Sequence, residues 1–80
     1  MIMELYCVKD VKSGYMNPFP MQNRGVALRE FAASVMSRQG IFEKYPEDME
    51  FWQIAEYDND SGVITPKLEF VVSARDFLKE

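Results

Sequence analysis

Of the side chains in this sequence that could do chemistry, Cys7 is the only thiol, and histidine is absent altogether. Without an imidazole the chain lacks the usual general base at neutral pH and the commonest metal ligand. Cys7 sits in an alternating apolar segment with no neighbour to ionise it, so it reads as a buried structural thiol and not as a nucleophile. Serine nucleophiles fail for the same lack of a base, and no glycine pattern builds a phosphate-cradling loop. Glu47, Asp48 and Glu50 supply carboxylates, but hydrolysis by an acid–base pair needs a cleft and two unlike environments, which a solvated connection does not offer. Asp58, Asp60, Gly62 and Glu69 are spaced somewhat like a calcium loop. The glycine, however, stands at the fifth loop position, where a ligand belongs, and Pro66 stiffens the exit. That run fits an acidic hairpin turn. The expectation is a protein with no catalytic site, no metal and no cofactor.

What remains is binding chemistry. Single-stranded nucleic acid is held by aromatic faces on which bases stack, together with cations that follow the backbone. Tyr6, Tyr15, Phe19, Trp52 and Tyr57 are candidate faces, and Lys9, Lys12, Arg24 and Arg29 are candidate phosphate contacts. Aromatics in so small a domain also serve as core, which is the competing reading of the same residues. The net charge of −4 is unevenly spread. Residues 1–40 carry five basic and three acidic side chains, net +2, whereas residues 41–80 carry four and ten, net −6. A polyanion would dock on the first half, and its binding should weaken with salt. The acidic second half, with Glu47, Asp48, Glu50, Asp58 and Asp60, is the alternative surface, suited to a protein partner.

These residues must be positioned by one small domain. Eighty residues bury only roughly 60% of the unfolded chain's surface, and the 48% apolar content is ample for a core. One cysteine and the lack of a long apolar run lead to the expectation of a reduced, cytosolic protein, neither exported nor embedded. Met3 to Asp10 alternates as a strand, and Tyr15 to Met21, with Pro18 and Pro20, is extended and at best an edge strand. Asn23 caps a helix whose Leu28, Phe31, Ala32 and Val35 form an apolar stripe, widened by Ala27 and Met36 and stopped by Gly40. Ile41 to Glu50 is a connection with one helical turn. Phe51 to Tyr57 and the segment from Val63 form a hairpin around Asp58–Gly62, and the stretch beyond Pro66 continues the return strand. Ser73 caps a final helical turn that lays Phe77 and Leu78 on the domain's edge. The expected fold is α+β: a small antiparallel sheet of three to four strands with one principal helix on one face. Tyr6, Val8, Phe51, Ala55, Tyr57 and Val71 fall on the second face of that sheet, whose burial points to a homodimer.

Several stretches in order resemble one family: Leu5-Tyr6-Cys7-Val8-Lys9-Asp10, Pro18-Phe19, Asn23 followed by Ala27, Arg29 and Phe31, then Phe42 with Tyr45-Pro46-Glu47-Asp48, and Ile54, Glu56-Tyr57-Asp58 leading to Ser61-Gly62. The order is similar to the small nonstructural protein of the gokushoviruses, single-stranded DNA phages of the Microviridae. The resemblance implies a protein of the infected bacterial cytoplasm, absent from the mature virion, acting in replication or packaging of the single-stranded genome. It brings no catalytic residue. Relatives favour Asp-Ala where this chain has Arg24-Gly25, so the helix starts less favourably here and the added positive charge favours an anion-facing role.

Overall fold

Strand β1, Ile2–Asp10, is rich in aromatic and branched residues and is the sheet's inner strand on the N-terminal side. The chain then reverses at a turn in which Asp10 accepts from the amides of Lys12 and Ser13 and Gly14 takes φ +116°. Only glycine reaches that dihedral without strain. Two short strands follow, β2 (Gly14–Tyr15) and β3 (Phe19–Met21), both antiparallel to β1. Pro18 and Pro20, just before and within β3, lack the N–H that a central strand would need, so this stretch stays on the edge. The long hairpin of β4 (Met49–Asp58) and β5 (Ile64–Ser73) completes a five-stranded antiparallel sheet, with β5 as the other edge. At its turn Gly62 has φ +79° and donates to the Asp58 carbonyl. This computed structural model describes residues 1–38 and 40–78.

Helix α1, Arg24–Ser37, begins where the Asn23 side chain accepts from the Val26 amide, as its sequence position predicts. Its buried residues are Ala27, Phe31 and Val35, one turn apart, so the helix is rolled slightly from the expected stripe. Leu28 and Ala32 lie at its margin, and Met36, expected to widen the stripe, points to solvent at 62% exposure. The helix ends at Arg38, which takes the left-handed conformation (φ 55°) and donates to the Val35 carbonyl, two residues before the stop expected at Gly40. Gly40–Phe42 and Pro46–Asp48 form two short 3-10 turns in the connection to β4. A third, Ala74–Phe77, follows β5 directly; Ser73 precedes it but makes no capping hydrogen bond. Phe77 and Leu78 pack inward against the core, not along the edge.

The core is a stack of aromatic rings between helix and sheet. Phe51 lies face to face with Phe31 from the helix (centroids 4.5 Å apart) and with Tyr6 from β1 (5.0 Å), and Phe42 meets Phe31 edge-on. Each such contact adds ~0.5–1.5 kcal/mol to area burial. This arrangement corrects the expected face assignment. Tyr6 and Phe51 are buried beneath the helix and Val8 and Val71 pack against the same core, so they do not form an uncovered second face, while Ala55 is buried outside that core, opposite Leu5. The reason is the side the helix takes: β1 alternates evenly with Tyr6 and Val8 toward the helix, and the extra residue, Ile54, lies on β4 between Gln53 opposite Tyr6 and Ala55 opposite Leu5, so it is β4 that changes phase.

Candidate nucleic-acid interface

With Tyr6, Val8 and Phe51 committed to the helix, alternation sends Cys7, Lys9, Trp52 and Glu50 to the opposite face, where Cys7 pairs with Trp52 and Lys9 with Glu50 across β1 and β4. Two neighbours extend this set across the sheet. Tyr15 on β2 sits opposite Lys9, and Phe70 on β5 sits opposite Trp52. The result is a row of three rings running perpendicular to the strands. Tyr15 and Trp52 meet edge-to-face at 5.8 Å, and Trp52 and Phe70 do so at 5.6 Å. The Lys9 ammonium lies 5.0 Å from the Tyr15 centroid and 5.2 Å from that of Trp52, within cation–π range of both. The Trp52 indole N–H donates to Glu50 Oε1 at 2.9 Å, which fixes the ring's orientation. The outer members stay accessible, Tyr15 at 45% and Phe70 at 48% exposure. The Cys7 side chain is wholly buried, and that burial pushes its thiol pKa up, away from the reactive thiolate.

The opposite face carries a polar network at the start of α1. Arg24 donates to Gln53 Oε1 (2.7 Å), Glu69 Oε1 (2.7 Å) and the Tyr6 hydroxyl (3.3 Å), and that hydroxyl donates to Glu4 Oε1 (2.6 Å). The Tyr6 hydrogen bond, followed by the one to Glu69, raises the Arg24 pKa further above its ordinary value. Arg24 in turn holds the Glu69 carboxyl below the usual glutamate range. Gln53, wholly buried, has its carbonyl satisfied by Arg24 and its amide by the Ala55 carbonyl at 3.4 Å. Among the described residues, no buried side-chain polar atom is left without a partner.

The residues expected to contact nucleic acid are therefore divided. Lys9 and Tyr15 belong to the aromatic row, and Lys12 stands exposed in the turn beside them. Arg24 is engaged in its own network on the other face instead of facing outward, and Arg29 lies exposed on the helix. Phe19 packs against the core 6.2 Å from Phe51, and Tyr6 is buried, so neither offers a stacking face. The acidic set is also split. Glu47 and Asp48 precede β4, Glu50 is tied to Trp52, and Asp58 and Asp60 lie at the far end of the hairpin, roughly 30 Å along the strand. There Asp58 accepts from the Asp60 amide, and this bond is the main cause of its lowered pKa. Phe70 is the member of the row that sequence reading misses. It appears there only as one of several alternating apolar residues, and its place beside Trp52 depends on a bulge at Val71 that no local pattern announces.

The class defined by fold and site is a small α+β sheet protein with one covered face and one open face bearing an aromatic row and a lysine. The chain belongs to the phage ORF5 protein family, whose sequence profile matches residues 3–77. It is thus a phage protein. Comparison with curated proteins and with solved structures gives no match. No helix among the described residues is long and apolar enough to cross a membrane.

Proposed function

We propose that the protein is a non-catalytic phage accessory factor that binds single-stranded DNA across the open face of its sheet. The observation that carries this reading is the Tyr15–Trp52–Phe70 row with Lys9 lodged against it. Aromatic rings presented in series on a sheet, with a cation among them, are what base stacking and backbone tracking require. Membership of a phage family and the resemblance to the gokushovirus nonstructural protein fit a role in replication or packaging of a single-stranded genome inside the infected cell.

The electrostatic part of this binding is small. Lys9 and Lys12 flank the row, whereas Lys67 is drawn to Glu56 at 4.0 Å and to Glu69 of the Arg24 network. Glu50, opposite Lys9, offsets part of that charge. With at most two phosphates neutralised, log K should fall against log salt with a slope of about −1.4. Fluorescence anisotropy of a labelled single-stranded oligonucleotide across a salt series tests the proposal. Saturable binding with that shallow slope supports it. Flat traces at low salt refute it and leave the reading of a protein-binding regulator acting through the acidic second half, a surface that the splitting of Glu47 and Asp48 from Asp58 and Asp60 makes less coherent.

A further inference from the structure

Strand β5 is the longer free edge of the sheet, and residues 64–70 along it are all exposed. Large apolar side chains concentrate there: Val63, Ile64, Leu68 and Phe70 are each about half or more accessible, with Leu68 highest at 64%. A free edge of this length is a template for another strand. Native edges are normally blunted by proline, lysine or bulges, and β5 has Pro66, Lys67 and a register break between its pairings at Pro66 and Glu69. Those devices reject most partners. They leave one pairing that the sequence of the edge matches with itself.

We propose that two copies of the chain join antiparallel along β5 about a twofold axis at Leu68. In that register Lys67 of each copy faces Glu69 of the other, Leu68 faces Leu68, Pro66 faces Phe70 and Thr65 faces Val71. The charges select it. Centring the axis one residue earlier sets Lys67 against Lys67, and one residue later sets Glu69 against Glu69, and like charges directly opposite destabilise a ladder. In the proposed register opposite charges meet twice, by symmetry. The alternating charges on either side of a central leucine make this edge self-complementary, which is what an isologous contact demands. A twofold axis perpendicular to the sheet keeps both open faces on the same side, so the two aromatic rows become parts of one continuous surface. This dimer differs from one formed through the second sheet face, because it leaves Tyr15 and Trp52 uncovered and meets the row only at Phe70, which faces the partner's Pro66. It stands or falls independently of DNA binding.

The test uses the full chain without DNA. Sedimentation equilibrium at high micromolar concentration should give a dimer mass, and Lys67→Glu, which turns both ion pairs into repulsions, should weaken dimerisation at least about tenfold while leaving the circular dichroism spectrum unchanged. Leu68→Cys should form an intermolecular disulfide under mild oxidation, because directly opposed residues bring their Cβ atoms within bridging reach. Cys7 is buried, so the wild-type chain should not cross-link. A wild-type chain that stays monomeric, a Lys67→Glu variant that dimerises as well as wild type, or a folded Leu68→Cys variant that fails to cross-link would each overturn the proposal.

Discussion

Replacing Phe70 by alanine separates what the open face does for binding from what it does for stability. A fully buried phenylalanine side chain contributes ~1.5–3 kcal/mol, and Phe70 is 48% exposed, so about half of that is at stake. Loss of the edge-to-face contact with Trp52 removes a further ~0.5–1.5 kcal/mol. The variant should therefore lose ~1.5–3 kcal/mol of a total on the order of 5 kcal/mol or more, and still fold, with Tm lowered by on the order of 10 °C. Binding should suffer separately. A base that stacks on an aromatic ring contributes ~1–3 kcal/mol, so the Kd for a single-stranded oligonucleotide should rise about 5- to 150-fold. Anisotropy titration well below the variant's own Tm measures this, and Phe70→Leu, which keeps apolar bulk but has no ring, should bind nearly as weakly as the alanine variant. A folded Phe70→Ala protein that binds within twofold of wild type would refute the stacking argument at this position.

Other perturbations probe the scaffold. Phe31→Ala removes a ring that is 4% exposed and in contact with Phe42, Phe51 and Phe77, so it should cost ~3–5 kcal/mol by urea denaturation; a midpoint close to wild type would contradict that packing. Because Arg24 depresses the folded-state pKa of Glu69, the stabilisation from this pair is present above the ordinary glutamate range and drains away as pH falls through the lowered value. The stability advantage of wild type over Glu69→Gln should accordingly shrink between neutral pH and about pH 3, and a gap that widens on acidification would count against the assignment. Cys7 should resist thiol reagents in the native protein and react at once in denaturant, whereas rapid native labelling would show that its burial is misplaced.

The elements were largely legible in the sequence because each is announced locally. Asn23 marks the helix start, Asp58–Gly62 marks the hairpin turn, and the prolines around Phe19 confine that stretch to an edge. The faces were not legible. β1 has apolar residues on both sides, Met3 and Leu5 as well as Tyr6 and Val8, so period-two alternation could not say which side the helix covers, and the extra residue Ile54 breaks the phase of β4. Arg24 shows a similar limit. Its charge suggested an outward anion contact, but its partners Gln53 and Glu69 lie 29 and 45 residues away and meet it only through the fold. Lys9 and Tyr15 could be nominated from residue type alone, whereas Phe70 and its place beside Trp52 required the register of two bulged strands.

Trp52 is the only tryptophan in the chain and stands in the middle of the aromatic row, so its fluorescence reports on the open face directly. Titration with an unlabelled single-stranded oligonucleotide should quench its emission saturably, with the same midpoint as the anisotropy isotherm and a midpoint shifted to weaker binding by Phe70→Ala. An oligonucleotide that binds by anisotropy yet leaves Trp52 emission unchanged would place the DNA elsewhere on the molecule, and the open face would then have no part in holding it.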